Sequence, residues 1–257
     1  MKNAIVTGAY GAIGKEIAMG LLSKNYNILL VGRDQQKLDQ HKKSLSSFNN
    51  LGKFQISCVD LSSKDDIFNF AHTISFNVDV LVNNAATAPV KRLENNQGIE
   101  MQWATNVLGY YWMITAFEQH LLKSEYPRVV NVASYWAGGL DLDDPEFKIR
   151  RYNNDAAYRQ SKQADRMLSY GLADRYKNKI SINACHPGDA NSKLSNDLGF
   201  GGSESAKQAA TTPLLLATSP IGIENSGEYF EHGRLNACRF KDQKDTIMRL
   251  LEICQKY

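Results

Sequence analysis

The chain is poor in cysteine and proline and lacks long apolar runs, and each scarcity closes off a class of protein. Its 257 residues hold four scattered cysteines, Cys58, Cys185, Cys238 and Cys254, with no C-x-x-C pair. Neither a disulfide framework nor a zinc site is indicated, and a reducing, cytoplasmic setting fits. No H-x-x-x-H or comparable spacing suggests another metal. No stretch of about 18 apolar residues is present to span a bilayer, so no integral membrane anchor is expected. Residues 4–7 run straight into glycines, without the charged flank and cleavage site of a signal peptide. Charge of one sign is also scarce. The net charge is +3, and short basic clusters such as Lys91-Arg92 and Arg150-Arg151 lack interleaved aromatics, which argues against a nucleic-acid partner.

What remains is an ordinary globular composition, 43% hydrophobic and 22% charged, with no repeat, low-complexity segment or linker. One domain spanning residues 1–257 is expected. Apolar runs of strand length, at 3–7, 27–32, 53–59, 78–83, 128–134 and 179–185, alternate with stretches of helical spacing such as Ile13, Ile17, Leu21 and Leu22. Near-continuous apolar strands belong where both faces of a sheet are covered. The pattern predicts an α/β fold, a doubly wound parallel sheet of Rossmann type with helices on both faces. A long excursion leaves the sixth strand, and residues 188–205 within it are the candidate substrate lid.

Residues 6–16 read VTGAYGAIGKE, with three glycines between a strand and an amphipathic segment. In that context glycine removes the Cβ that would hold a pyrophosphate away, and the following helix offers free N–H groups. The spacing T-G-x-x-x-G-x-G resembles the short-chain dehydrogenase/reductase family, and implies that Thr7, Gly8, Gly11, Ile13 and Gly14 bind a dinucleotide. At the end of the second strand the position usually acidic in NAD-preferring members is Gly32, followed by Arg33. An arginine suits the 2′-phosphate of NADP, with Lys15 as a second charge, so NADP(H) is preferred. Asp34 keeps NAD(H) open. The resemblance also implies that Asp60 and Leu61 meet the adenine, and that Asn83-Asn84-Ala85-Ala86 stands for the family's N-N-A-G motif, with Asn83 and Ala85 at the cofactor and Ala86 departing from glycine. Pro187-Gly188 matches the family's P-G motif, beyond which Asn191 or Ser192 would meet the carboxamide. The role of Asp189 is open.

Tyr158 and Lys162 are spaced i, i+4, which places both on one helical face. A phenol of pKa about 10 is a poor base at neutral pH, and an adjacent ammonium is expected to lower it. With 12 tyrosines in the chain, about one Y-x-x-x-K pair arises by chance, so the context decides. Ser134 closes a strand upstream and Asn106 lies on the preceding helix. By resemblance, Tyr158 exchanges the proton, Ser134 orients the substrate oxygen, Lys162 holds the ribose and tunes Tyr158, and Asn106 orders a water leading to Lys162. His186 reads as a packed histidine at a strand end.

The likeness covers essentially the whole chain and is greatest to the retinol dehydrogenase and WW-domain oxidoreductase branch. That implies a carbonyl or alcohol substrate, often lipophilic, with Trp112, Trp136 and Phe200 as candidate pocket aromatics that could equally be core. It also implies a homodimer or homotetramer built on helices near 107–124 and 156–176. A non-catalytic, cofactor-binding sensor is the contrasting reading.

Overall fold

A computed structural model of the chain describes residues 1–46 and 53–257. The strands are β1 (Asn3–Thr7), β2 (Asn27–Gly32), β3 (Phe54–Cys58), β4 (Val80–Asn83), β5 (Arg128–Val132), β6 (Ser181–His186), β7 (Tyr229–Glu231) and β8 (Arg234–Asn236). The helices are α1 (Ala12–Leu22), α2 (Gln35–Ser46), α3 (Lys64–His72), α4 (Gly109–Ala116), α5 (Glu118–Leu122), α6 (Asn154–Arg175), α7 (Lys193–Asp197), α8 (Ala206–Ala209), α9 (Thr211–Thr218), α10 (Ile221–Glu224) and α11 (Lys244–Lys256), with a π-helical turn at Trp103–Leu108 ahead of α4. All the strands form one sheet of order β3-β2-β1-β4-β5-β6-β7-β8.

The first six strands lie within or beside the six apolar runs. Two further strands follow, and only the last departs from the expected parallel sheet: β7 joins β6 in parallel, but β8 returns antiparallel to β7, Tyr229 facing Asn236. Tyr229 and Phe230 are fully buried, so the short β7 is held by its side chains, and β8 is an exposed edge.

Alternation along the strands sorts side chains into two cores. Ala4 and Val6 of β1 face Ile17 and Leu21 of α1 and Leu38 of α2. Ile5 faces the opposite layer, with Phe70, Trp103, Leu168 and Leu250 from α3, the π turn, α6 and α11. Each such fully buried aliphatic contributes about 1.5–3 kcal/mol. The long α6 starts at Asn153, whose side chain accepts from the Ala156 N–H, and carries Asp155 in its first turn and Arg175 in its last, both matched to the helix dipole.

The sheet's strand order reverses at β1, which pairs with β2 on one side and β4 on the other. A crevice opens at such a point, outside the carboxyl ends of the strands. Among the described residues no helix is long and apolar enough to cross a membrane, and no group of three or more His, Cys, Asp or Glu side chains is placed to hold a metal.

Candidate active site

The glycine loop leaves β1 and turns into α1 at that reversal. Gly8 has φ of 62°, and a Cβ there would meet the Ala85 backbone at 2.8 Å. At Gly14 a Cβ would come within 2.2 Å of the Gly8 carbonyl oxygen. Loop and N-N-A-A segment are stitched together: the Thr7 hydroxyl accepts from the Asn84 and Ala85 N–H groups at 2.8 and 3.1 Å, and Asn84 Nδ2 donates to the Thr7 carbonyl at 2.9 Å. Thr7 therefore shapes the loop from beneath. Asn83 does likewise, fully buried and donating to Asn131 Oδ1 at 2.9 Å. No side chain caps the start of α1 and no acidic residue occupies its first turn, so its N–H groups remain for an anion.

A cavity of about 410 Å³ runs from Gly8, Gly11, Ile13 and Gly14 past Arg33 to Asp60 and Leu61, with Ala85 and Ala86 on its other side. Its length, its glycine floor and the open helix end fit a dinucleotide. A Cβ on Gly32 would strike the Tyr10 ring at 2.4 Å, so an acidic side chain at the position that would select NAD would have to displace that ring. Asp34 is already engaged: the Lys37 backbone N–H and ammonium hold its carboxyl below the usual range, the ammonium at 3.0 Å. Lys37 lies on the cavity wall beside Arg33 and Lys15 does not. The exposed Lys15 acts electrostatically on His41.

A second, smaller cavity of about 70 Å³ adjoins the first and is lined by Ser134, Tyr158, Lys162, Pro187, Gly188 and Phe200, among others. Tyr158 and Ser134 are hydrogen-bonded, and the Ser134 oxygen accepts from the Trp136 N–H at 3.1 Å. Ile13, Asn84, Ala86, Ser192 and Leu194 belong to both cavities. Trp112 is core, 1% exposed, whereas Trp136 packs edge-on against Phe200 at 5.3 Å. Ser192 caps α7 by accepting from the Ser195 N–H, and the exposed Asn191 lines neither cavity.

The electrostatics differ from expectation at one point. Lys162 Nζ, fully buried, donates to the Val132 carbonyl at 3.0 Å and to Asp165 Oδ2 at 2.8 Å. Burial raises the Tyr158 pKa, the Ser134 hydrogen bond pulls it down, and the Asp165, Asp189 and Tyr135 charges raise it further. The ammonium expected to depress Tyr158 is thus neutralised by Asp165, and the phenol keeps its proton. Burial pushes Asp165 itself up to about 7 against the pull of Lys162.

Asn106 sits in the π-helical turn, a distortion common at functional sites. Its Oδ1 accepts from the Thr87 N–H at 2.9 Å, and its Nδ2 donates to the Thr87 carbonyl and Ser161 Oγ at 3.0 and 3.1 Å. It ties the wall of the large cavity to α6, with no direct bond to Lys162.

Further residues join the site that spacing did not reveal. Arg166 Nε donates to the Ser134 carbonyl at 3.1 Å, its Nη2 donates to the Tyr229 hydroxyl, and that hydroxyl donates to Glu231 at 2.6 Å. Asp165 and Arg166 lie i+3 and i+4 from Lys162, a phase visible in the sequence; Tyr229 and Glu231 carry no local signal. His186 is buried and packed, its imidazole pushed down to about 4 mainly by desolvation.

Residues 188–205 form a loop whose ends are tied together: the Asp189 carbonyl accepts from the N–H groups of Ser203 and Glu204 at 2.8 and 2.9 Å. At Gly188, φ is 128° and a Cβ would meet Glu204 Oε2 at 2.3 Å.

Comparison with known proteins agrees with this geometry. The family model described as short chain dehydrogenase matches residues 2–199. Human retinol dehydrogenase 13 is 32% identical, the match covering 97% of this chain and 82% of the relative. A probable oxidoreductase of Streptomyces antibioticus is 28% identical over 90% of this chain and 84% of its own. Among solved structures, an uncharacterised protein from Mycobacterium paratuberculosis superimposes with a TM-score of 0.84 at 23% identity, covering 100% of this chain and 92% of that one. The Pseudomonas aeruginosa RhlG/NADP active-site complex does so with a TM-score of 0.72 at 25% identity, covering 90% and 94%. With a glycine loop at the sheet reversal, a serine, tyrosine and lysine gathered beside it and a family match over most of its length, the chain belongs to the short-chain dehydrogenase family of oxidoreductases.

Proposed function

We propose that the protein is an NADP(H)-dependent oxidoreductase that moves a hydride between the nicotinamide and a carbonyl or alcohol substrate, with Tyr158 as general acid and base. The observation that carries this reading is the shared wall of the cavities: Ser134 and Tyr158 line a space that has Ile13, Asn84, Ala86, Ser192 and Leu194 in common with the glycine-loop crevice. Gly8, Gly11 and the first turn of α1 would hold the pyrophosphate, and Arg33 with Lys37 the 2′-phosphate. Bound there, the cofactor supplies the hydride.

The rest falls to side chains. In carbonyl reduction the Tyr158 hydroxyl donates its proton to the substrate oxygen. Burial, by keeping that phenol protonated at neutral pH, suits it to the task. Ser134 donates a second hydrogen bond to the same oxygen and fixes its position. Arg166 holds the Ser134 backbone, and Lys162, anchored by Val132 and Asp165, would hold the ribose with its remaining N–H.

Absorbance at 340 nm with NADPH and then NADH, against a panel of ketones and aldehydes, tests the reading. Turnover is expected with NADPH preferred, and Tyr158→Phe should lower kcat by about 100-fold or more. Cofactor binding without turnover of any carbonyl would instead support the sensor reading.

A further inference from the structure

The wall of the smaller cavity carries a charge that a hydrocarbon ligand would leave stranded. Asp189 follows the Gly188 turn directly and lines the same space as Ser134 and Tyr158. Its carboxylate acts on the Tyr158 phenol, raising the pKa, so its charge sits close to the reacting oxygen. Its partners leave it unsaturated. The Tyr135 phenol is hydrogen-bonded to it, while His186 Nε2 stands 3.8 Å from Oδ1, beyond hydrogen-bond length. Burial keeps that imidazole neutral at physiological pH, so it brings no counter-charge. Among the described residues no lysine or arginine pairs with Asp189; the nearby Arg166 is committed to Ser134, Tyr229 and Glu231. The Asp189 side chain is 36% exposed and so open to a further partner. Its main chain is anchored through the two amides of Ser203 and Glu204, so it does not retreat easily.

A carboxylate has about four acceptor sites and no donor. Laid against hydrocarbon, it loses water and regains no hydrogen bond. Laid against another anion, it repels. The same cavity is also lined by Phe200, which Trp136 braces edge-on.

We propose that the substrate is an amphipathic carbonyl or alcohol compound bearing a second hydrogen-bond donor, a hydroxyl or an ammonium, which Asp189 accepts while its apolar body rests on Phe200. Asp189 is then a specificity-determining residue that admits donor-bearing substrates and rejects purely hydrocarbon and anionic ones. This rests on the oxidoreductase reading above and narrows the lipophilic substrate that the family branch implies.

The test compares kcat/KM with NADPH for benzaldehyde and its 3- and 4-substituted hydroxymethyl, aminomethyl and carboxy derivatives. The hydroxymethyl or aminomethyl compounds should exceed benzaldehyde, and the carboxy compounds should fall about tenfold or more below them. Asp189→Asn should bring the carboxy compounds to within about threefold of benzaldehyde, with NADPH affinity, read separately by fluorescence titration, unchanged. Asp189→Ser repeats the measurement should the asparagine disturb the loop. A wild-type ranking without the donor preference overturns the inference, as does a carboxy penalty that survives both substitutions. No turnover of any aldehyde overturns the oxidoreductase reading, and this inference with it. The wild-type ranking requires no variant to fold.

Discussion

Asp165 bears directly on the proposed chemistry, because it pairs with the cation beside Tyr158, the proposed general acid. Sitting i+3 from Lys162 at 2.8 Å, and without solvent to screen it, its charge pushes up the Tyr158 pKa. The neutral, near-isosteric Asp165→Asn removes that push, so Tyr158 loses its proton at lower pH. Alcohol oxidation needs the deprotonated phenol, and the midpoint of its rise with pH should fall by about one unit. Initial rates of oxidation between pH 6 and 11 check this; an unmoved midpoint would leave Asp165 a purely structural partner. Other groups facing Tyr158, namely Asp189, Tyr135 and Ser134, are unchanged by the substitution and serve as the fixed background. Ser134, Tyr158 and Lys162 could be read in the sequence because their chemistry demands fixed types at fixed spacing. Lys37 went unread because one arginine after a strand does not say which neighbouring helix turns a cation toward the cavity.

At the scale of elements, the contact between the glycine loop and α1 leaves no room for a side chain. A methyl group on Gly14 would meet the Gly8 carbonyl oxygen, a backbone atom that cannot rotate away. Gly14→Ala should therefore weaken NADPH binding by at least about tenfold while lowering Tm by only several degrees, the usual cost of overpacking. Fluorescence titration and thermal melts separate the two effects. The six parallel strands were legible because burial on both faces writes long apolar runs. Strands β7 and β8 were not, since three residues carry no periodicity; β7 is specified by pairing with β6 and by its buried Tyr229 and Phe230. The π-helical turn was equally silent in the sequence pattern, and within it Asn106 bonds to Thr87 and Ser161.

Across the whole molecule, buried ionisable groups set opposing dependences of stability on pH. His41 and His186 are pushed down to about 4 by burial, so between about 4 and 6.5 the unfolded chain binds more protons and stability falls as pH falls. Glu100 and Asp165 are pushed up to about 7; through the same window the folded chain holds more protons and stability rises as pH falls. The two pairs cancel, and denaturant midpoints should be nearly flat between pH 5 and 6.5. In Glu100→Gln/Asp165→Asn the histidines act alone, and the midpoint should fall steadily across that interval. Below the usual carboxylate range stability should drop in both proteins, since Asp144 and Glu146 are held below it by hydrogen bonds that outweigh their desolvation. The sheet order has a further consequence, for the time course of folding. β1 lies between β2 and β4, with Ala4 opposite Val80, so as the chain is made β1 keeps an unpaired edge until a strand more than seventy positions later has followed. The floor of the site is begun with one strand and closed only after several others.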